Sequence, residues 1–308
     1  GRLPLAVAQV GKSFRNEIAP RQSLLRLREF YQAEIEVFCN PNRLNDVPKF
    51  EKVKDTSLTL FIDNSSQKIS AEEAVQKGLL PNKLVAYYMS LLTLFYSKTG
   101  ISMERTRFRQ LSDHEKAFYA STAFDFEVET SNGWLELVAC NYRSDYDLSK
   151  HSAISKQNLN VIDPSDNTKV LPHIFELSMG IDRSIYSILE HSYYEDLESK
   201  RVVLKLVPQV APVLVGVFPL VTKDGLREKA QDIYASLKLD YSAFYDESGS
   251  IGRRYRRLEE IGAPFALTID NQTMNDDTVT IRHRDSMQQE RVSVSDIPKF
   301  LDTILDSK

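Results

Sequence analysis

The sequence predicts a chain of mixed helices and strands whose last third is an α/β domain of about one hundred residues. Three observations lead to this prediction. After about residue 201, strand-like runs such as "PVLVGVFPLV" alternate with helix-like runs such as "DGLREKAQDIYASLK". Two alternating runs flank Ser131, Asn132 and Gly133, which is typical of an antiparallel hairpin. Within residues 171–193, a glycine separates a strand-like run from an amphipathic helix.

The elements before residue 120 follow the same local rules. Residues 3–11, "LPLAVAQVG", are predicted to form a short buried strand, and residues 26–39 a second strand. Ser70 followed three positions later by Glu73 indicates the start of a helix. Residues 81–100 are predicted to form a long helix, because proline stands at its head and glycine at its end.

The composition excludes several functional classes. The 308 residues carry a net charge of −4, so any contact with nucleic acid requires a local basic patch. The longest apolar run, residues 84–96, is too short and too polar to span a bilayer, and we expect no membrane partner. Cys39 and Cys140 belong to no metal-binding pattern. With no visible signal peptide, they are expected to be reduced thiols in a cytoplasmic protein.

Charged residues cluster unusually in "FRNEIAPR", directly behind the first predicted strand. Arg15 and Glu17 stand two positions apart, so on a strand both would face the same side. Further arginines follow closely at Arg21, Arg26 and Arg28. Arginines that converge at strand ends suit a polyphosphate, and Phe30 offers a flat face to a base. From composition alone, a solvated strand end with surface ion pairs is the favoured explanation of these charges, and a core position is the favoured explanation of Phe30.

Six segments resemble those of the glycyl-tRNA synthetases, a family of class II aminoacyl-tRNA synthetases, and they occur in the family's order. "FRNEIAPRQSLLRLREFYQAEIE" resembles motif 2, and "ELSMGIDRSIYSILEH" resembles motif 3. "RTRFRQLSDHEKAFYA" and "GWLELVACNYRSDYDLSKH" resemble segments that lie between these motifs. "DESGSIGRRYRRLEEIGAPFALTID" and "TVTIRHRDSMQQERV" resemble the C-terminal anticodon-binding domain.

The resemblance implies a fold and a division into domains. Residues 1–200 are expected to form an α+β class II catalytic domain, in which helices accompany an antiparallel sheet, with an insertion region at about 45–120. Residues 201–308 are expected to form an α/β anticodon-binding domain. The charged residues 194–202 would form the joint between them. The family's motif 1 and an upstream glycine-site segment do not occur in this chain, so we expect the catalytic sheet to lack its first strands.

The resemblance also implies an activity. Members of the family use ATP and Mg²⁺ to join glycine to its tRNA through a glycyl-adenylate, and the full-length protein is expected to be a homodimer. A non-catalytic, synthetase-like accessory protein that binds nucleic acid is the alternative. The chain retains the residues that bind phosphate in the family, which favours an enzyme. A third possibility, another class II specificity, is disfavoured by the "QAEIE" and "GWLELV" segments.

The resemblance implies site residues by their positions in these motifs. Arg15 and Arg183 match the catalytic arginines that grip the phosphates of ATP. The remaining ATP-site positions are Asn16, Glu17, Leu25, Arg26, Arg28, Phe30, Glu136, Leu137, Gly180 and Asp182. The glycine-site positions are Phe30, Gln32, Glu34, Glu176, Ser178 and Gly180. Glu136 and Glu176 are the expected carboxylates near Mg²⁺, and Arg253, Arg254 and Arg256 are the expected tRNA contacts.

Structural explanations that involve no ligand remain for several of these residues. Glu136 would be an ordinary solvent-facing strand residue, and Glu34 with Glu36 the exposed side of an alternating strand. The "GRRYRR" run at 252–257 would be a solvated helix face. The chain also departs from the family at Ala139, where the family usually has glycine.

Overall fold

The computed structural model describes residues 3–20, 25–165 and 167–306, which fall into two compact units. The first unit contains the residues up to Ser97 together with Ser102–Ser187, and the second contains Lys98–Ile101 and the residues from Ile188 onward. Arg21, one of the clustered arginines of the sequence, lies outside the described residues. The division at residues 200 and 201 stays a prediction.

The first unit is built around a large sheet with short helical segments. Its strands are β1 (Leu5–Phe14), β2 (Glu29–Cys39), β3 (Ser57–Ile62), β4 (Ser65–Ser70), β5 (Thr106–Gln110), β6 (Thr122–Thr130), β7 (Gly133–Ser144), β8 (Val161–Ile162), β9 (Lys169–Val170) and β10 (His173–Gly180). Its helices are α1 (Ala71–Gln76), α2 (Lys83–Ser97) and α3 (Tyr146–Ser155), followed by α4 (Ile181–Ser192), which continues beyond Ser187.

Within the described residues, eight strands form one sheet in the order β1-β2-β10-β7-β6-β5-β3-β4. All neighbouring pairs are antiparallel except β3 with β5. The predicted hairpin is therefore present as β6 and β7. The predicted insertion region, 45–120, supplies β3, β4 and β5, so these strands extend the central sheet.

The two faces of this sheet differ because side chains alternate along each strand. One row across paired strands contains Ile35, Leu177, Cys140 and Phe124. On this apolar face the Tyr96 ring of α2 stacks on Phe126 at a centroid distance of 4.9 Å. The next row contains Glu34, Ser178, Ala139, Asp125 and Arg109. The sheet therefore presents a polar face opposite its core.

Residues 3–11 were predicted to form a buried strand, and the prediction of burial is wrong. The strand β1 forms, but Val10 is 71% exposed and Phe14 is 74% exposed. In the sheet order β1 is the terminal strand, and β2 is its hydrogen-bonded neighbour. An apolar run alone cannot show whether a strand lies at the centre or at the edge of a sheet.

Both helices predicted for the first unit are present, and the start signal of the first is confirmed. Ser70 caps α1, and its hydroxyl oxygen accepts a hydrogen bond from the backbone N–H of Glu73 at 3.2 Å. The long helix predicted for 81–100 is present as α2. Its buried side chains, which include Leu84, Met89 and Tyr96, pack beneath the apolar face of the sheet.

The second unit has the predicted β–α alternation. Its strands are β11 (Tyr193–Asp196), β12 (Arg201–Leu204), β13 (Val215–Pro219), β14 (Ala243–Tyr245), β15 (Phe265–Ile269), β16 (Thr278–His283) and β17 (Gln289–Ser293). Its helices are α5 (Leu226–Leu237), α6 (Ile251–Glu260), α7 (Asn271–Asp276) and α8 (Ile297–Asp306). Strands β14-β13-β15-β16-β17 form a sheet in that order, with β13 parallel to both of its neighbours.

Two local features of this unit were not anticipated from the sequence. The charged residues 194–202, which the sequence suggested as a joint, contribute to β11 and β12, and these strands pair as a hairpin. Arg201 of β12 is only 6% exposed and forms an ion pair with Asp196 at 3.0 Å, so the charges are used in packing. Helix α7 was not predicted, although Asp270 and Thr273 form its capping box.

Candidate active site

A cavity of about 340 Å³ opens on the polar face of the large sheet. Strands β2, β7 and β10 supply its floor, and the segment after β1 and the start of α4 supply its rim. The residues that line it are Arg15, Glu17, Leu25, Arg26, Leu27, Phe30, Tyr31, Gln32, Glu34, Tyr119, Glu136, Leu137, Ala139, Asn141, Glu176, Ser178, Gly180, Asp182 and Arg183. The cavity therefore brings together residues from both predicted ATP and glycine sets.

Arg15 lies just beyond the end of β1, and not on the strand as its spacing from Glu17 suggested. The backbone turns here, since the Glu17 N–H donates to the Arg15 carbonyl at 2.7 Å. The Arg15 N–H donates to the Arg28 carbonyl at 2.9 Å, which ties the turn to the neighbouring strand segment. Within the described part of the chain, the Arg15 guanidinium has no carboxylate partner, and it lies 6.0 Å from the Phe30 ring centroid. It is available to a ligand anion.

Arg183 approaches the cavity from the first turn of α4. Its guanidinium donates to the carbonyls of Leu25 at 3.2 Å and Glu136 at 3.0 Å, and lies 3.4 Å from the Glu136 carboxylate. A cation in the first turn of a helix is opposed by the helix dipole, and these oxygen atoms offset that cost. The adjacent Asp182 carboxylate accepts a hydrogen bond from the Tyr31 N–H at 2.7 Å, which joins the helix start to β2.

A β-bulge brings Glu136 to the cavity. Phe126 pairs with Val138, but Glu127 pairs with Glu136, so Leu137 is the extra residue on β7. Without the bulge, Glu136 would share the core-facing side of β7 with Val138. The Glu136 side chain is 44% exposed, and its carboxylate pairs with Arg183.

The acidic end of the cavity is more enclosed. Glu176 is 8% exposed, and its carboxylate accepts hydrogen bonds from Asn141 at 3.0 Å and Arg143 at 2.8 Å. Glu36 lies opposite Glu176 across β2 and β10. Burial and the Glu176 charge raise the pKa of Glu36 to about 7, although Arg143 acts in the other direction.

The glycine-site positions on β2 and β10 face one another. Ser178 pairs with Glu34 across the two strands, and Gly180 pairs with Gln32. The Gln32 side-chain amide donates to the Ser178 hydroxyl. Ala139 pairs with Ser178 from the other side, so its methyl group lies on the same polar face.

Two predicted ATP-site residues do not line the cavity. Asn16 is exposed, and Arg28 donates to the Glu17 carbonyl at 2.8 Å. Arg28 therefore supports the turn that carries Arg15 and Glu17. The side chain of Arg26 is 59% exposed and lies 3.7 Å from the Glu17 carboxylate, at the open rim.

Sequence reasoning missed some of the lining. Tyr119, Asn141, Leu27 and Tyr31 were not predicted as site residues. For Asn141, strand alternation from Ala139 was an available signal, because both residues lie on one face of β7. Tyr119 lies in an irregular segment before β6, where no periodic pattern predicts its direction.

The two carboxylates predicted to lie near Mg²⁺ differ in how well they fit that role. Glu136 is half-exposed and is free on its solvent side, which fits a Mg²⁺ ion that is held mainly by phosphate oxygens. Both Glu176 oxygens already accept hydrogen bonds, so Glu176 fits this role less well. Across residues 3–20, 25–165 and 167–306, no group of three or more His, Cys, Asp or Glu side chains is placed to hold a metal ion.

The second unit has a basic cavity of about 320 Å³ at the start of α6. It is lined by Ser250, Gly252, Arg253, Tyr255, Arg256, Glu259 and Arg282. Arg253 is exposed. Arg256 donates to the buried Glu259 carboxylate at 3.2 Å.

Arg254 departs from the prediction of a tRNA-contacting or solvated arginine. It is 3% exposed and donates to the carbonyls of Pro219 and Gly249, the latter at 2.7 Å. Helical periodicity explains this placement, because Arg254 lies on the buried side of α6 with Leu258. Its guanidinium is therefore a structural group in the second unit.

The helices of the described residues include none that is both long enough and apolar enough to cross a membrane.

Comparisons with known proteins agree with both units. A family model described as the class II tRNA synthetase core domain (G, H, P, S and T) matches residues 1–192, and one described as an anticodon binding domain matches residues 214–304. The glycine–tRNA ligase of Archaeoglobus fulgidus is 35% identical to the chain, with 100% of the chain and 67% of the relative covered. The Pyrococcus furiosus enzyme of that name is 35% identical, with 99% and 68% covered.

These relatives show the breadth of the similarity. A third glycine–tRNA ligase, from Methanothrix thermoacetophila, is 36% identical, with 94% of the chain and 64% of the relative covered. The matches confirm the predicted fold class, a class II synthetase core followed by an anticodon-binding domain. The chain belongs to the glycine–tRNA ligase family of class II aminoacyl-tRNA synthetases.

Proposed function

We propose that this chain joins glycine to its tRNA in two ATP-dependent steps, through a glycyl-adenylate. One observation carries the proposal: the cavity collects the predicted phosphate-binding arginines and the predicted glycine-binding carboxylates on one face of the sheet. The names of its relatives support the choice of glycine and tRNA as substrates.

The ATP side of the cavity is its cationic rim. Arg15 has no carboxylate partner in the described residues, so its guanidinium is free to bridge the α-phosphate and the attacking glycine carboxylate. Arg183 and Arg26 would hold the outer phosphates, and Phe30 would stack on the adenine. Phosphoryl transfer of this kind depends on positioning and charge neutralisation. A protein nucleophile is not required.

The glycine side is the enclosed acidic end. The carboxylates of Glu34 and Glu176, together with the Ser178 hydroxyl, would receive the glycine ammonium group. Glycine has no side chain to bind, so selectivity must come from excluding larger amino acids. Ala139 lies beside Ser178 on this face and reduces the space available to a side chain.

Mg²⁺ would be held near Glu136, on the exposed side of its carboxylate. When bound, the ion neutralises charge on the ATP phosphates. Arg183 holds the Glu136 backbone carbonyl and side chain, and so orients the carboxylate toward the cavity. We assign Glu176 to the ammonium group, because it lies at the enclosed end of the cavity and each of its oxygens can accept a hydrogen bond beyond those from Asn141 and Arg143.

The remaining partners and the organisation are part of the same proposal. Residues 201–308 would bind the anticodon region of tRNA, with Arg253 and Arg256 as phosphate contacts. Residues 1–200 would form the catalytic domain. The full-length protein would be a homodimer in the cytoplasm.

The alternative, a non-catalytic nucleic-acid-binding relative, is less well supported. Such a protein has no need of an ATP site. Here Arg15, Glu17, Glu136 and Arg183 all line one cavity. Loss of function would be expected to leave some of these positions substituted or turned away.

The test is amino-acid-dependent ATP–pyrophosphate exchange by the 308-residue chain, with glycine, proline and threonine compared. Glycine-dependent exchange, followed by transfer of labelled glycine to tRNA, is the expected result. Exchange that depends on another amino acid would contradict the glycine specificity. Binding of tRNA with no exchange for any amino acid would favour the non-catalytic alternative.

A further inference from the structure

An aromatic strip leads from the wall of the active-site cavity to open solvent. It consists of Phe118 and Tyr119, in the segment before β6, and Tyr146 at the start of α3. The Phe118 ring meets Tyr119 at 5.3 Å and Tyr146 at 5.7 Å between centroids, both edge-to-face. Phe118 is nevertheless 83% exposed. A phenylalanine this exposed beside a functional cavity has no role in the core.

The inner end of the strip is part of the active site. Tyr119 lines the cavity, and the Arg143 guanidinium stacks on its ring at 4.0 Å. Arg143 also donates to Glu176 at the acidic end of the cavity. The strip therefore continues from the proposed glycine site outward to the surface.

The outer end of the strip carries a positive charge. The Lys150 ammonium lies 4.0 Å from the centroid of the Tyr146 ring, and its hydrogen-bond partner is the Tyr146 hydroxyl. No carboxylate of the described residues pairs with Lys150. The strip thus combines exposed aromatic faces with a cation that can contact a phosphate.

The acidic groups near the strip are already engaged. Asp147 pairs with Arg143 at 2.7 Å, and Asp113 pairs with Lys116 at 2.8 Å. Asp145 accepts a hydrogen bond from Ser149 at 2.6 Å. An incoming polyanion therefore meets compensated carboxylates and the Lys150 ammonium, which is bound to the Tyr146 hydroxyl and has no carboxylate partner among the described residues.

We propose that the strip of Phe118, Tyr119 and Tyr146 binds the single-stranded 3′ end of tRNA, with a base stacked on Phe118 and a phosphate beside Lys150. This inference rests on the proposed function, because the terminal ribose hydroxyl of tRNA must reach the cavity. Aromatic faces next to cations suit unpaired nucleotides, since every base has a π-face. Continuity with the cavity places the strip on the path of that end.

The experiment compares two forms of tRNA, one intact and one that lacks its unpaired 3′ nucleotides. Their affinities are measured for the 308-residue chain and for Phe118→Ala. The control variant is Phe95→Ala, because Phe95 is an exposed aromatic residue on α2, 52% exposed and edge-to-face with Tyr96. Thermal unfolding of both variants confirms that each is folded.

The expected result is specific to the 3′ end. Phe118→Ala should weaken binding of intact tRNA by about tenfold, the scale of one lost base stack, and should not change binding of the shortened tRNA. Phe95→Ala should change neither. Equal losses for both tRNAs, or no loss, would overturn the proposal. A wild-type chain that binds the two tRNAs equally would also overturn it.

Two other results have separate meanings. A change in oligomeric state in Phe118→Ala, with tRNA affinity unaltered, would assign the strip to a protein contact and overturn the proposal. Glycine-dependent ATP–pyrophosphate exchange by the wild-type chain is measured beside the binding. Its absence, with a 3′-end-specific loss in Phe118→Ala, would contradict the proposed activity while supporting the strip as an RNA-binding surface.

Discussion

Arginines chosen from the two units of the molecule illustrate two different uses of a guanidinium. In the first unit, Arg15 faces a cavity without a carboxylate partner in the described residues, and the side chain of Arg26 is 59% exposed. In the second unit, the side chains of Arg201 and Arg284 are each 4% exposed, and their guanidiniums donate to carboxylates and backbone carbonyls. An arginine-rich segment therefore does not identify a binding site. A guanidinium with unfilled donors beside a cavity does.

The largest effect is expected for Arg15→Ala. This change removes a cation that has no structural partner, so the fold should persist while adenylate formation falls by about 10³-fold or more. Glycine-dependent ATP–pyrophosphate exchange measures the loss, and tRNA binding should stay nearly intact. The matched control is Arg227→Ala, because Arg227 forms a half-exposed ion pair with Glu247 in the second unit, away from the cavity of the first. Parallel losses of exchange and of tRNA binding would contradict the role assigned to Arg15.

The next largest effect concerns stability. Arg284 donates to the buried carbonyls of Leu206 and Gly262, both at 2.8 Å. Arg284→Ala would leave both acceptors unsatisfied and should cost about 3 kcal/mol in the free energy of unfolding of the second unit. Urea unfolding measures it, and Arg227→Ala should cost less than about 1 kcal/mol. Equal costs for the two variants would remove the distinction between structural and available arginines.

Gly262 shows why this buried network needs its particular backbone. It follows the end of α6 with a φ of 86°, a conformation that favours glycine. A Cβ placed there would lie 2.5 Å from a Leu206 side-chain carbon. The Leu206 and Gly262 segments are therefore close enough for Arg284 to bind both carbonyls.

The sequence predicted those features that depend on short-range rules. The cap at Ser70, the hairpin of β6 and β7, and the β–α alternation of the second unit all follow from spacing within about a dozen residues. The motif resemblance placed Arg15, Glu34 and Arg183 in one site, and the cavity does contain all three. Motifs are informative here because the binding geometry constrains residues that are distant in sequence.

Long-range features escaped prediction. The bulge at Leu137 brings Glu136 to the polar face, but simple alternation places Glu136 with Val138 on the core side. The burial of Arg254 depends on the carbonyls of Pro219 and Gly249, which only the tertiary fold brings near. The exposure of β1 depends on its position in the sheet order. Helical spacing does indicate the buried side of α6, but no local pattern supplies the carbonyl partners of Arg254, the bulge or the edge position of β1.

The third prediction concerns Asp125, a buried carboxylate whose charge the nearby Arg109 guanidinium does not fully compensate. Burial, aided by Glu136, raises the pKa of Asp125 from 3.8 to about 7 despite Arg109 nearby. The folded state then holds a proton that the unfolded chain releases, so this contribution to stability is full below about pH 3.8 and falls as pH rises to about 7. The free energy of unfolding should therefore change by at most about 1.4 kcal/mol per pH unit through this group.

Asp125→Asn removes this titration. The free energy of unfolding of the wild-type chain, minus that of Asp125→Asn, should therefore decrease between about pH 4 and pH 7. Urea unfolding at several pH values gives the difference. Asp113→Asn is the control, because Asp113 is exposed and its pKa is lowered by the Lys116 ammonium. A difference that rises with pH would show that Arg109 dominates over burial at Asp125.

The smallest effect tests the comparison within one helix. Arg253 is exposed beside the basic cavity of α6, while Arg254 is buried against two carbonyls. Arg253→Ala should weaken tRNA binding by about threefold to tenfold and reduce the slope of log affinity against log salt by about one, without loss of stability. Arg254→Ala should lower the free energy of unfolding and leave that salt slope unchanged. Binding titrations at several salt concentrations, together with urea unfolding, separate the two. If Arg254→Ala also reduced the salt slope, its guanidinium would have to reach phosphate, and burial could not be the criterion that distinguishes the two kinds of arginine.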